Sequence, residues 1–295
     1  MVIKELSLRS VGTHDGSFHA DEVTACGLLL LFGLVDREKI VRSREPELLA
    51  KCEYVCDVGG VYDPEIKRFD HHQVSYQGDL SSAGMVLLYL RDTGKIDPST
   101  YEFFNRSLVL GVDAHDTGHV TTPMGVCTFS HVIANFVPPQ YDAPEEMQNR
   151  AFFQALDFVS GHLKRLLERY RYILACKERV EEAMQKNLPY LIFEKAIPWM
   201  ESFFELEGGK HPALFVIMPS GNHWKLRAIP PSMEERMQMR FPLPAEWAGL
   251  RDEELQRVSG IPGAIFCHKG RFISIWKTKD AALKALDETL KGKKR

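Results

Sequence analysis

Phe69-Asp70-His71-His72 sets one carboxylate and two imidazoles on consecutive residues, a grouping that in extended or turning backbone serves a metal ion better than a packed core. A second dense stretch, Thr13-His14-Asp15-Gly16-Ser17-Phe18-His19-Ala20-Asp21-Glu22, adds His14, His19 and Asp21. Asp57 precedes a glycine pair, and Asp113 lies in a mostly apolar segment where an unpartnered carboxylate would be costly. A cation would relieve it, as would an arginine. Asp113 and Asp116, three apart, share a helix face, whereas His115 and His119 lie on another. Asp21 has a second reading as a helix cap, with Glu22 favouring the helix dipole.

Together His14, His19, Asp21, Asp57, Asp70, His71, His72 and Asp113 form a mixed Asp/His set. It suits Mn2+ or a similar divalent ion, with Mg2+ an alternative, better than an all-oxygen Ca2+ site or a thiolate Zn2+ site. One ion would leave donors idle. Two ions roughly 3.5–4 Å apart would use them and would activate water against a phosphorus centre. Asp70, His71 and His72 are then the candidate catalytic residues, a histidine of the trio acting as general acid or orienter.

Such ligands are far apart in the chain and need a scaffold that gathers them. Residues 6–12 alternate and read as an opening strand, and residues 23–33 read as an apolar helix stopped by glycine. Residues 39–43 and 53–60 read as further strands, and Ile66 and Phe69 lead a last one into Asp70. Strand, loop and buried helix point to an α/β domain with a mostly parallel sheet, a fold that places its chemistry at the carboxyl ends of strands. Residues 81–91 form another buried-type helix, and one from about residue 99 carries Asp113. Residues 143–187, interrupted only by Gly161, keep helical spacing and predict one or two long connecting helices. Beyond them, residues 190–193, 213–218, 224–229, 264–268 and 271–276 read as strands joined in part by hairpin turns, and a helix over 278–290 closes a smaller mixed α/β domain. The expected organisation is a metal-binding domain over 1–140, a helical connector over 141–188 and a substrate-binding domain over 189–295.

With 295 residues, 44% hydrophobic and 26% charged, the composition is that of a soluble protein of about two domains. The longest apolar run, residues 28–32, is far too short to span a bilayer, and residues 1–5 show no cleavable apolar segment. The expectation is a cytoplasmic protein without a membrane partner, a removed organelle-targeting peptide aside. Six cysteines with no CxxC pair imply reduced thiols. The net charge of −3 is uneven: residues 1–140 carry −7, 141–188 carry 0 and 189–295 carry +4. An acidic first part suits cations and a basic last part suits an anionic substrate, although an excess of four is also ordinary solvated surface. Arg227, Arg240, His268, Lys269 and Arg271 are the candidate substrate-binding residues, since Arg and Lys pair with phosphates.

The pattern His14-x4-His19-x-Asp21, Asp57, Asp70-His71-His72 and Asp113 resembles the DHH phosphoesterase superfamily, with one departure. The superfamily's common first motif has Asp-x-Asp after the histidine; here His19 stands at the first Asp and the spacing from His14 is one longer. That form is similar to the first motif of the melanocyte-proliferating-gene (Myg-type) family, also catalogued as metal-dependent hydrolases. Phe69-Asp70-His71-His72-Gln73, Val112-Asp113-Ala114-His115-Asp116-Thr117-Gly118, Arg240-Phe241-Pro242-Leu243-Pro244, Trp247-Ala248-Gly249-Leu250-Arg251 and Gly260-Ile261-Pro262-Gly263 extend the likeness over nearly the whole chain.

The resemblance implies a DHH-type first domain, a second domain that holds the substrate, and a 3′-5′ exonuclease acting on single-stranded RNA. The rival within the class is a small-molecule phosphoesterase acting on nucleotides, dinucleotides or pyrophosphate. From another class comes a non-catalytic metal-dependent binding protein, kept open by His19 in place of an acidic ligand. The lack of a basic stripe fits short single strands over duplexes, and the oligomeric state is left open, a homodimer included.

Overall fold

In the computed structural model, which describes residues 7–293, three parallel strands set the architecture of the first half. β1 (Ser7–Thr13) runs parallel to β2 (Ile40–Arg42) on one side and to β3 (Cys52–Cys56) on the other. β5 (Arg68–Phe69) continues the parallel run beyond β3, and β4 (Tyr62–Asp63) closes the edge antiparallel. The order is β2-β1-β3-β5-β4. Residue 6, where the opening strand was expected to begin, lies outside the described residues.

The helices of this half are α1 (Ala20–Leu31), α2 (Pro46–Leu49), α3 (Ser82–Asp92), α4 (Pro98–Phe104), α5 (Leu110–Asp116) and α6 (Phe129–Ala134). α1 is buried from Ala20 through Leu29, its apolar residues packing into the core and Asp21 and Glu22 of its first turn buried with them. Its core neighbours include Phe69, Met85, Leu87, Val109 and Phe152. A π turn, Asn105–Val109, joins α4 to α5 and sets the phase at which α5 carries its acids.

α7 is one 41-residue helix, Glu145–Gln185. The chain divides into two compact units, Met1–Tyr170 and Arg171–Arg295, and the division falls inside this helix. Each half of α7 carries an apolar face of its own. Phe152, Leu156, Val159 and Leu163 join the first core, and Cys176, Val180 and Ala183 join a core of the second unit. Gly27 of α1 allows the close approach of α7, since a Cβ there would meet Leu163 at 3.0 Å and Val159 at 3.1 Å.

The second unit is a mixed sheet in the order β6-β7-β8-β10-β9, with β6 (Tyr190–Ile192) parallel to β7 (Phe215–Ser220) and β8 (His223–Ala228), β10 (Ile273–Trp276) and β9 (Ala264–Cys267) antiparallel. Alternation along β7 feeds two layers: Phe215 and Ile217 pack with Trp247, Trp276 and Leu286, while Val216 and Met218 pack with Val180 and Phe203. α8 (Met200–Glu205), α9 (Asp252–Ser259) and α10 (Lys279–Lys293) cover these faces. The architecture is α/β with a mostly parallel first sheet. Among the described residues no helix is long and apolar enough to cross a membrane.

Candidate metal centre

Parallel pairing with nearly level strand ends decides which residues meet. Gly12 is in register with Val55, and Cys56 with Phe69. The residues that leave these strands therefore line one edge of the sheet, and they are His14, Asp57 and Asp70. Asp57 leaves its strand at φ 58°, a left-handed conformation uncommon for a residue with a Cβ, and Gly59 and Gly60 follow at 101° and 69°. This turn aims the Asp57 carboxylate back across the edge.

Each oxygen of Asp57 serves a different partner. Oδ2 lies 3.3 Å from His14 Nε2 and Oδ1 lies 3.3 Å from His71 Nε2. His71 Nε2 is also 3.1 Å from Asp116 Oδ2, and His14 Nε2 is 3.2 Å from Glu22 Oε1. Three donor groups result, each with ligand atoms within 4.8 Å of one another: His14, His19, Glu22 and Asp57; His19, Asp21 and Asp116; Asp57, His71 and His72.

The electrostatics are those of a cation site. Asp21 is fully buried and neither of its oxygens has a hydrogen-bond donor, a costly arrangement for a carboxylate. Burial, then the charges of Asp57, Glu22 and Asp116, push its carboxyl well above the usual range. Burial alone would depress the His14 imidazolium, but hydrogen bonds to Asp57 and Glu22 outweigh it and push it up to about 10. Asp116 and Asp57 push His71 up to about 10. Burial would raise Asp57, yet His14 and His71 hold it below the ordinary carboxylate value. Donor chemistry and an orphaned buried carboxylate fit divalent ions at this edge, where the surplus of negative charge otherwise holds protons on His14 and His71.

Two expected ligands have other work. Asp70 Oδ2 accepts from the Gly60 amide at 2.6 Å, and its Oδ1 accepts from the His72 amide at 3.1 Å and faces His72 Nδ1 at 2.8 Å. Asp70 thus orients His72 and stands outside the donor groups. Asp113 Oδ1 accepts from Ser81 N at 3.1 Å, Ser81 Oγ at 2.6 Å and Gly84 N at 3.0 Å. Its Oδ1 caps the amino terminus of α3, its Oδ2 has no hydrogen-bond partner, and burial pushes it up to about 6 against those hydrogen bonds. A Cβ at position 84 would lie 2.2 Å from Asp113 Oδ2, so the pairing requires glycine. Asp116, three residues on along α5, faces the cluster in its place.

Sequence reasoning missed Glu22 and Asp116 as donors and two arginines beside the first loop. Arg42 is buried, donates to the Gly16 carbonyl at 2.6 Å and to Asn149 at 2.8 Å, and stacks on Phe152 at 4.6 Å. It clamps the loop between His14 and His19. Arg44 is 65% exposed and pairs with Asp15 at 3.3 Å. His14, His19, Arg44, Asp57, Gly59 and His72 are among the residues lining a cavity of about 570 Å3 over the cluster.

In the second unit, Arg240 is a structural clamp and not a substrate group. Its guanidinium donates to the carbonyls of Pro230, His211, Ala213 and Gly208 at 2.7–3.1 Å and stacks on Phe203. Arg227 is half-buried on β8, and burial and nearby Arg236 lower its guanidinium from the ordinary value. His268, Lys269 and Arg271 share the β9–β10 turn, where His268 Nδ1 accepts from the Gly270 amide at 2.9 Å and Arg271 adopts φ 57°.

Comparisons with known proteins place the sequence in a family. Residues 10–290 match the model of the uncharacterised protein family UPF0160, MYG1_exonuc. The chain is 52% identical to the MYG1 protein of Chlamydia pneumoniae over 97% of this chain and 98% of that one. It is 34% identical to the human MYG1 exonuclease over 95% of this chain and 85% of the relative. A slight likeness to the Mn2+-containing structure of RecJ from Thermus thermophilus, at TM-score 0.28 and 12% identity over 96% of this chain and 52% of the other, is too weak to carry an argument. With a family model spanning most of its length and relatives of this identity, the chain belongs to the MYG1 (UPF0160) family.

Proposed function

We propose that this protein is a metal-dependent phosphodiesterase that shortens single-stranded RNA from the 3′ end with two Mn2+-class ions. The observation that carries the reading is Asp57, whose two oxygens face His14 and His71 separately beside the unpaired carboxylate of Asp21. A carboxylate split in this way is suited to bridge two ions. His14 and His19 would hold one with Asp57; Asp21, His71 and Asp116 would hold the other with Asp57. Ions so bound supply Lewis-acid activation of water and neutralise charge on the phosphoryl oxygens.

The remaining steps belong to the chain itself. Asp70 fixes the His72 ring through Nδ1, leaving Nε2 of this 64%-exposed imidazole free to hold a proton for the departing oxygen. Arg44, at the wall of the same cavity, exchanges Asp15 for a substrate phosphate. Gly59 carries no side chain and nothing lies within 4 Å of where one would be, so a backbone of substrate can approach that wall. In the second unit, His268, Lys269 and Arg271 are assigned to phosphate binding. The exonuclease name of the human relative supports the reaction type, and the net charge of −3 supports short single strands over duplexes. Six free cysteines, five of them buried, support a reducing compartment such as the cytoplasm.

A second reading rests on the cavity, whose volume of about 570 Å3 is of the size that takes a mono- or dinucleotide. Hydrolysis of 5′-labelled and 3′-labelled RNA oligomers with Mn2+ separates the two. Stepwise shortening from the 3′ end, absent in Asp57→Asn, is the expected outcome. Cleavage of dinucleotides with longer RNA left intact would move the assignment to small phosphoesters.

A further inference from the structure

The donor groups that share Asp57 differ in kind. His71 Nε2 links Asp57 to Asp116, with Asp21 grouped beside Asp116 and His19, so that side is rich in carboxylates, whereas His14 and His19 bring two imidazoles to the other side of Asp57, in a set with Glu22 whose ligand atoms lie within 4.8 Å of one another. Glu22 is fully buried. Its two oxygens accept the His19 amide at 2.9 and 3.0 Å while Oε1 lies 3.2 Å from His14 Nε2. As a helix cap it needs only an acceptor, and a glutamine would serve. The negative charge, buried next to Asp21 and Asp57, adds repulsion that a cap does not require. The cation it touches is the His14 ring, itself a candidate ligand that would give up its proton to a metal, so an ion in contact with Glu22 would carry that compensation in the loaded protein. The His14 ring is already turned for such a role, because Nδ1 is 2.8 Å from the Asp15 carbonyl and Nε2 faces the set.

We propose that Glu22 is a direct metal ligand, completing a four-donor His14-His19-Glu22-Asp57 site that holds its ion more tightly than the carboxylate-rich site of Asp21, Asp57, His71 and Asp116. The inference rests on the two-ion reading above and extends it to unequal ions. Two imidazoles favour Mn2+, Fe2+, Co2+ or Zn2+ over Mg2+ at the first site, and three carboxylates leave the second open to Mg2+.

The test is Mn2+ binding to the full chain after chelator treatment, followed by calorimetry and by the electron-resonance signal of free Mn2+, with the melting temperature of the metal-free protein measured beside it. Wild type is expected to show two unequal sites. Glu22→Gln keeps the cap and should leave the metal-free melting temperature in place while weakening the tighter site by at least ~10-fold, the scale of losing a group that supports a metal site. Glu22→Ala should lose both. Asp116→Asn should weaken the looser site alone. Wild-type affinities in Glu22→Gln, or equal weakening of both ions, would overturn the assignment of Glu22. Failure of the wild-type chain to take up Mn2+ would overturn the two-ion reading beneath it. The readout involves no turnover, so RNA left intact by a protein whose tighter site weakens in Glu22→Gln sinks the exonuclease and upholds the ligand.

Discussion

The carboxyl edge of the first sheet and the loops around Arg240 in the second unit both bury charge, and they treat it in opposite ways. Arg240 spends its donors on four backbone carbonyls and its flat face on Phe203. Asp21 is more deeply buried and its oxygens receive nothing. A buried charge with every hydrogen bond made is part of the framework; a buried charge with none is held in place for something that binds. Asp113 and Asp116 differ in what they face: Asp113 Oδ1 is capped by Ser81 and Gly84 while its Oδ2 has no hydrogen-bond partner, and Asp116 faces His71.

Breaking the bridging side of this contrast gives the largest effect. Asp57→Asn should lower kcat on RNA by on the order of 10^3-fold, because several kcal/mol of transition-state stabilisation would depend on the ions that Asp57 would help to hold, with metal content measured in parallel. Activity within a few-fold of wild type would remove Asp57 from the centre. Arg240→Ala tests the framework side: it should cost about 3 kcal/mol in denaturant unfolding by leaving carbonyls unpaired, and KM for RNA in the folded fraction should not move. A raised KM at unchanged stability would return Arg240 to the substrate site.

His72→Ala and Asp70→Asn should each reduce kcat by about 10^2-fold and flatten the basic limb of the pH profile while Mn2+ stoichiometry holds, as expected for a general acid and its orienter. Loss of an ion in Asp70→Asn would instead make Asp70 a ligand. Arg44→Ala should raise KM about 10-fold with kcat nearly unchanged, the size of one phosphate contact in an exposed site, and Asp15→Ala should lower KM by freeing Arg44.

Proton linkage is the subtlest probe. His14 and His71 are pushed up to about 10 from an ordinary 6.5. A raised imidazole contributes stability that is complete below the unfolded value of 6.5 and fades as pH climbs through about 10. At neutral pH both rings therefore carry protons in the metal-free protein, and Mn2+ must displace them, so binding should weaken as pH falls. Calorimetry in two buffers of different ionisation enthalpy should register proton release, and an identical heat in both would refute the linkage.

Residue type and spacing were enough to read a mixed Asp/His centre, an α/β first half and the long helix, because ligands cluster at strand ends and apolar periodicity survives in the chain itself. His14, His19, Asp21, Asp57, His71 and His72 were all read in this way, and folding brings each into a group of neighbouring donors. Asp113 against Asp116 was not. Their spacing puts both on one helix face, and only the packing of α5 after the π turn decides which of them meets His71 and which meets Ser81. Asp70 was read as a ligand because its neighbours are donors, but the Gly60 amide claims one oxygen and His72 the other. Glu22 was hidden by a local role that any helix start could give it. Arg240 looked like a phosphate binder because a guanidinium's partners, here carbonyls from positions 208 to 230, are set by the chain's return and not by its neighbours in sequence. Local chemistry is written in residue order; whether a polar atom is left over for a ligand depends on every donor and acceptor that folding brings within about 3 Å of it, and that is decided in three dimensions.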